Sequence, residues 1–565
     1  MMRKASAFTM VCGLSAALAN PAAAQSAGAL PAILGDPATV RAHYLPDFSY
    51  AGYEYGAKPL PRQIGTVIDV RDYGAIPDDD TDDSQALRAA IAAAAKLNAP
   101  ATVQLEAGRY LLSDILWIES SGIVLAGKGD GPEGTVLYMP RPLRLVNDGG
   151  ALDEVRVYLR ENDKIQRDKK RNINNIFSEY SWSGGFIWVG PSKSRPATYL
   201  ERLDTPVGSL AGATLGTRGE RTVTVADASK LKVGSVVQLL WFNRAGETGP
   251  LIREIYGDTD LEIGSRHWEL PDRPLVKQQT RIDAIDGNAI TIADPLLHDI
   301  SEKLPATVAG WRHLSHVGLR DFAMEFPTNP YFGHHLEDGY NGVYFTGVHN
   351  GWIENVRILN SDSGILTDDI ANVTIRKVTT EGKHKAHYSV HIGNVHNVLV
   401  DGLTVSNPVE HALSFNTQAT RSVYANSTVT STPTLDQHAG ANHQNLYDNL
   451  TLHVKAKTDK RVEGPMVDLY RAGGAKYWLP GHGAFNTHWN VNLVFDERTA
   501  MEEITILGDS EGPNARIVGM HGNRPLKLEY SPAPYVEAMN EAVSVPSLYE
   551  WQLRKRVGSI GQQPR

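Results

Sequence analysis

Between Gly339 and Leu452 short apolar and polar alternations recur in register. Segments starting at Asn341 (NGVYFTG), Asp362 (DSGILTDD), His387 (HYSVHIG), His411 (HALSFNT) and Leu435 (LDQHAGAN) align on the pairs Val343/Phe345, Ile365/Thr367, Val390/Ile392 and Leu413/Phe415. His438/Gly440 take the fifth place in that alignment. A second column follows in each unit, from Asn350, Asn372, Asn397, Ser422 and Asn445. Successive starts lie 21 to 25 residues apart, a period that signals stacked coils. Each unit holds two or three short alternating strands broken by Gly, Asn or Asp, with no helical stretch between them. Helical repeats and leucine-rich horseshoes are therefore excluded, and the pattern predicts an all-β parallel β-helix.

In such a solenoid one coil cannot bury its own apolar positions; stacking buries them in a continuous core while alternate side chains face outward. Equivalent positions then stand roughly 4.8 Å apart along the axis. Tyr344, His391 and Ser414 are expected on one outer face, with Asn341, Ser363, Tyr388, His411 and Asp436 along its edge beside His387. A flat face several coils long suits an extended polymer better than a small metabolite.

The remaining chain divides around this repeat. Residues 1–24 read as a signal peptide: Arg3 and Lys4, an apolar run from Ala7 to Leu18, and a small-residue site before Gln25. Residues 25–207 hold a leader and the first coils, with a strong helix from Gln85 to Lys96. Within 208–300 alternating strands with hairpin turns (Arg221–Val225, Leu231–Trp241, Thr280–Ile292) predict a small β-rich insertion, read as one wall of a groove. The main coils occupy 301–530, and a tail, 531–565, carries a short helix within Val545–Arg556 expected over the C-terminal end.

The entry to the first coils is specific. A strand ends in Tyr73-Gly74-Ala75, an Asp/Thr-rich loop runs from Asp78 to Ser84, an Ala/Ile-rich helix follows, and the next strand closes in Glu106-Ala107-Gly108-Arg109-Tyr110. This layout resembles the pectate-lyase-like family of right-handed β-helix proteins, with Glu106 where proline is usual. The resemblance implies that the helix caps the solenoid and covers its open edge. The block from His387 through Asn445 to Trp489 is similar to a bacterial, polysaccharide-degrading subgroup of that family. The family includes lyases, hydrolases and phage tail spikes, so the resemblance implies the fold rather than the reaction. Of the polygalacturonase motifs only Asn360-Ser361-Asp362 and Asp368-Asp369 find an echo, and the pectate lyase Arg motif is absent. The aspartate run fails as a calcium loop, with Asp83 where Gly is required and Ala89 where Glu is required, and reads instead as helix capping.

Charge and cysteine content narrow the partners. A net charge of −9 and no basic cluster argue against nucleic acid. Cys12, the single cysteine, lies inside the signal, so disulfides and thiol chemistry are excluded from the mature chain. No run is long enough to span a bilayer. The expectation is export to the periplasm or exterior.

Histidine carries the chemistry: seven of 19 fall between His384 and His443. Eliminative cleavage of a uronate needs a base for the C5 proton and a cation to neutralise the carboxylate. Lys385, His387, His411 and His438 are the candidate bases, with Asp436 in the same constellation and Tyr388 as acid. Arg421 and Arg471 are the neutralisers, and Tyr344, His391, Trp478 and Trp489 are candidates for binding sugars. Hydrolysis needs two carboxylates about 5–9.5 Å apart; Asp362, Asp368, Asp369, Asp401, Glu410 and Asp436 are available. The several imidazoles favour a lyase on an acidic polysaccharide or oligosaccharide, with His387 or His411 as base. The runner-up is a hydrolase using two of Asp362, Asp369 and Asp436, and a third class is a non-catalytic glycan-binding solenoid. No metal site is assigned from the spacing; Ca2+ is the one cofactor left open.

Overall fold

A computed structural model describes residues 29–559 apart from 148, 151, 154–155, 158–177, 192–206, 258–260, 432, 500–501 and 509–511; the signal-like segment 1–24 lies outside the described residues. Nearly all coil strands pair in parallel, successive coils side by side, as a parallel β-helix requires. One 13-stranded sheet carries Asn341–His349, Ser363–Ala371, Ala386–Ile392, Val409–Asn416, Leu435–His438 and Pro465–Gly473 in succession. A 19-stranded sheet takes the remaining sides, with Trp352–Leu359, Thr374–Glu381, Leu399–Asp401, Val423–Ala425 and Leu446–Asp448 following one another.

The core column is Val343, Ile365, Val390, Leu413, Leu435 and Tyr470, paired strand to strand and buried. The fifth place thus belongs to Leu435, not to His438, which pairs instead with Asn416 and Gly473. Asp436 moves with it, out of the column of Asn341, Ser363, Tyr388 and His411 and into that of His391, Ser414 and Arg471. The coils from Val343 to Leu435 vary between 22 and 25 residues, because the corners absorb length differences while the strands keep register.

The corners explain the plentiful asparagine. Asn350, Asn372 and Asn397 stack with φ of 54°, 52° and 55°, a left-handed conformation that Asn tolerates. A second ladder links Asn490 to Asn449 and Asn449 to Asn426 through side-chain amides at 2.9 and 2.7 Å, and Asn426 to Asp401 at 2.8 Å.

The helix Ser84–Lys96 buries Leu87, Ala90, Ile91 and Ala94 against the first coils, closing the core end as expected. Asp83 sits at its N-cap position, yet its carboxylate accepts from the backbone of Ile76 (3.0 Å) and Leu111 (3.1 Å) rather than from the helix. It ties the entry loop to the next coil. The C-terminal helix Leu548–Ser559 lies on the flank of the solenoid, not over its end. Leu548 and Tyr549 pack with Phe48, Val423, Leu446 and Trp489. Buried Asp448 receives Ser547 Oγ (2.6 Å) and the amides of Leu548 (2.8 Å) and Tyr549 (3.1 Å) at the helix start.

The insertion is a closed antiparallel barrel of six strands, Val207–Gly216, Thr222–Val225, Val236–Phe242, Pro274–Asp286, Ala289–Ile292 and Ala306–Gly310. Closure removes its free edges. Asp294 fixes it to the coils, accepting from Gln278 Nε2 (2.9 Å) and Asn397 Nδ2 (3.0 Å) and facing His396 Nε2 at 2.9 Å. His298 Nε2 meets His443 Nε2 at 2.8 Å across the same junction. A small, partly open cleft lies between barrel and coils, lined by Asn243, Arg266, His267, Arg273, Gln418 and Trp478. Among the described residues no helix is long and apolar enough to cross a membrane.

Candidate active site

The histidines converge on one patch of the 13-stranded sheet, and a loop of residues 326–340 brings two more. Asp362 sets that loop: Oδ2 accepts the amides of Gly339 (2.9 Å) and Tyr340 (2.8 Å), and Oδ1 faces His384 Nε2 at 2.7 Å. His384 Nδ1 donates to the Asn329 carbonyl (3.1 Å). Burial opposes charge on His384, but Asp362 holds its pKa above the ordinary value. Both residues therefore build the loop.

On the loop, Glu337 is the buried anchor. It accepts from the His335 amide (3.0 Å) and Ser181 Oγ (2.7 Å), and its Oε1 lies 3.1 Å from His387 Nδ1. His334 and His335 stack at 3.8 Å between ring centroids, and His334 Nε2 lies 3.0 Å from His387 Nε2. Trp182 closes the side, 4.8 Å from His335 and 6.3 Å from His387. Burial, reinforced by neighbouring imidazoles, pushes His387 well below its usual pKa and His334 down to about 4, so these rings are neutral at neutral pH.

The next two coils supply an acidic pivot. Asp436 is fully buried, 2.9 Å from His411 Nδ1 and 3.5 Å from His438 Nδ1, and it accepts from Ser414 Oγ at 2.7 Å. Burial alone would raise its pKa; the two imidazoles hold it well below the carboxylate range. Tyr388 stacks on both His387 (4.2 Å) and His411 (4.8 Å), and its hydroxyl accepts from Asn416 Nδ2 at 3.2 Å. Burial drives the Tyr388 pKa far upward, so its hydroxyl keeps its proton.

At the rim, Glu410 bridges Lys385 Nζ (2.7 Å) and Arg471 Nη1 (2.9 Å). Despite burial, those cations hold Glu410 to about 2. The trio carries one net positive charge beside the imidazoles.

His387, His411, Asp436, His438, Lys385, Tyr388, His391 and Arg471 are thus brought together; other expected residues are not. Tyr344 is buried edge-on to Trp188 within the core. Arg421 is a buried brace, bonding Gln444 Oε1 (2.7 Å) and Tyr44 Oη (2.9 Å) where the leader, barrel and coils meet. Trp489 lies under the C-terminal segment with Nε1 donating to Val545 O (2.7 Å). Trp478 packs edge-on against His267 at the barrel. None of these four offers a ring or guanidinium to a polymer on the histidine patch. Lys385, ion-paired with Glu410, is a cation rather than a base. His387 and His411 are themselves buried, while His438 is 14% exposed. Sequence reasoning missed Trp182, His334, His335 and Glu337, which lie outside the repeat; the adjacent pair His334-His335 in a loop between glycines was the available signal.

The carboxylates available for a two-acid mechanism are dispersed. Asp362 builds the loop, and Asp369 accepts from Trp311 Nε1 (2.9 Å) and Gln279 Nε2 (3.3 Å) at the barrel. Asp368 accepts from Asn394 Nδ2 (3.3 Å), and Asp401 belongs to the corner ladder.

The family model described as rhamnogalacturonase A/epimerase, pectate lyase-like, matches residues 67–139, the capped entry to the coils. The chain has the pectate-lyase-like parallel β-helix fold. Along this β-helix a model for a domain of unknown function, DUF4955, matches residues 409–563, and the periplasmic copper-binding protein (NosD) model matches 322–458. Similar solved structures include the tailspike protein gp49 from Pseudomonas phage LKA1, 12% identical over 84% of this chain and 81% of that chain, with a TM-score of 0.38. The A-module of the mannuronan C-5 epimerase AlgE4 from Azotobacter vinelandii is 13% identical over 84% of this chain and 96% of its own, with a TM-score of 0.32. An exopolygalacturonase from Thermotoga maritima is 8% identical over 85% and 80%, with a TM-score of 0.31. No curated protein matches the β-helix in sequence.

Proposed function

We propose that this chain is an exported polysaccharide lyase that cleaves a uronate-containing polymer by β-elimination, with His438 as base. The observation that carries the reading is the pairing of carboxylates. Asp436 faces His411 and His438, Glu410 faces Lys385 and Arg471, and Asp362 faces His384. A hydrolase needs one carboxylic acid kept protonated near neutral pH, opposite a second carboxylate. Neither Asp436 nor Glu410 meets that need, since the imidazoles of His411 and His438 hold the first acidic and the cations of Lys385 and Arg471 the second. Imidazoles remain as the groups able to move a proton.

The chemistry then follows from position. Asp436 orients His438 through Nδ1, and His438 is the member of the pair that reaches solvent. His438 takes the C5 proton; the C4–O4 bond breaks, C4 and C5 become doubly bonded, and the departing oxygen takes a proton from water. Lys385 and Arg471 lie on the same patch and favour the extra negative charge that develops on the uronate.

The deciding experiment follows ultraviolet absorbance, which rises as a C4–C5 double bond conjugated to the uronate carboxylate forms, during digestion of a panel of uronate polymers. A rising signal with polymer shortening is expected. New reducing ends without absorbance would transfer the case to hydrolysis.

The backbone supplies a second check. A Cβ on Gly473 would lie 1.8 Å from His438 Nδ1, so only glycine lets that ring sit over its strand neighbour. Gly473→Ala is expected to displace the base and lower kcat by about 10²-fold, with Tm little changed. Unchanged kinetics in this variant would count against His438.

A further inference from the structure

One half of the patch is not used by the elimination just described. His334, His335 and His387 each present a ring nitrogen within 4.8 Å of the others, and the Nε2 atoms of His334 and His387 stand 3.0 Å apart. Two neutral imidazoles can share that approach only if one donates to the other. Three ring nitrogens this close together are better satisfied by a cation, whose ligands at about 2.1 Å and near-tetrahedral angles stand roughly 3.4 Å from one another.

The contrast with the neighbouring triad is informative. Among His411, Asp436 and His438, the positive charge an imidazole can carry already meets the buried aspartate. Among His334, His335 and His387 no carboxylate stands between the rings. Glu337 stands behind His387: Oε1 is 3.1 Å from Nδ1, and Nδ1 itself, fully buried, makes no aligned hydrogen bond. A carboxylate on the far nitrogen of a histidine is the arrangement that fixes the ring and raises the basicity of the nitrogen that binds a metal. Glu337 is fixed in turn by Ser181 Oγ and by the His335 amide, so the same carboxylate backs the His387 ring and holds the backbone that carries His335.

We propose that His334, His335 and His387, backed by Glu337, bind a divalent transition-metal ion of the zinc or copper class. The all-nitrogen set suits those ions and not Ca2+, which takes oxygen ligands. The match of residues 322–458 to a copper-binding family model spans this patch without marking ligands, so the assignment stands on the residues themselves. The site is independent of which bond the chain cleaves, and a metal here would add positive charge to the surface that Lys385 and Arg471 already provide.

The test uses the full mature chain without a polyhistidine tag, stripped with chelator and dialysed separately against Zn2+, Cu2+ and Ca2+. About one equivalent of Zn2+ or Cu2+ retained per chain, a higher Tm with either ion, and nitrogen hyperfine structure in the Cu2+ electron paramagnetic resonance spectrum are expected; Ca2+ should do none of this. His335→Ala and His334→Gln, both on the loop rather than in the core, should lose the ion with unchanged circular dichroism. His438→Ala should keep it. The assignment is overturned if neither ion is retained, if Ca2+ serves equally, or if His438→Ala loses the ion while His335→Ala keeps it. Metal content is read without substrate, so failure here leaves the lyase reading standing, and failure of the absorbance assay leaves the metal site standing.

Discussion

His438→Ala is expected to lower kcat on the cleaved uronate polymer by about 10²–10⁴-fold, the usual contribution of a positioned general base, with KM and Tm nearly unchanged. The side chain is partly exposed and lies against Asp436, the His411 ring 4.8 Å away and the strand at Gly473, so its removal opens no large cavity. Asp436→Asn should cost activity for a different reason. The amide no longer draws the His438 Nδ1 proton, and the orientation that leaves the other nitrogen toward substrate is lost. It should also cost stability, because the buried His411 ring and the Ser414 hydroxyl lose the carboxylate they face; leaving a buried polar group without its partner costs about 1–3 kcal/mol. The two variants therefore separate a base from its positioning residue: His438→Ala loses turnover at constant Tm, whereas Asp436→Asn loses both. Steady-state kinetics beside calorimetry read both quantities. Equal activity of wild type and His438→Ala would leave Asp436 a structural charge and remove the proposed base.

The same pair shows how far the sequence could be read. Val343, Ile365, Val390 and Leu413 recur because a coil must return its apolar side chain to the same column, and that constraint is local enough to see in one chain. The fifth coil was misplaced by three residues because His438-Ala439-Gly440 mimics the spacing, while the true anchor is Leu435. Corners vary in length from coil to coil, so period alone cannot fix the register. A slip of an odd number of residues turns a side chain to the other face, which is why Asp436 was assigned to the wrong column while still within reach of His411. The loop residues His334, His335 and Glu337 answer to no period at all. They are placed by Asp362 and His384 from a neighbouring coil, a contact that spacing does not announce. Aromatic type was the weakest guide: Tyr344, Trp489 and Trp478 fill the core and the seams, where a large ring buries most area, as readily as a sugar-binding face.

Acidification is expected to unfold this protein well above the carboxylate range. His349, His482 and His488 are buried and held to about 3, and His267 to about 4, in each case first by burial. Their surroundings explain why. His488 lies between the rings of Tyr447 (5.3 Å) and Tyr470 (5.0 Å), His349 beside Tyr55 and Trp311, and His267 against Trp478 with Nε2 2.6 Å from Tyr256 Oη. Because each folded-state pKa lies below the unfolded value near 6.5, the unfolded chain takes up the proton first. Stability is whole above that value and falls as pH drops toward 4. Four such imidazoles together remove roughly 4 kcal/mol between pH 6.5 and 5.5, a large share of the usual 5–15 kcal/mol or so. Glu410 and Glu54, held near 2, add their own loss only below about pH 4.5. Calorimetry from pH 8 to 4 should therefore show a level Tm down to about 6.5 and a steep fall beneath it. His488→Phe, which keeps the ring between the two tyrosines and removes the titrating nitrogens, should lie above wild type at pH 5 relative to their difference at pH 8. Parallel Tm curves for the two proteins would show that this ring does not carry the acid response.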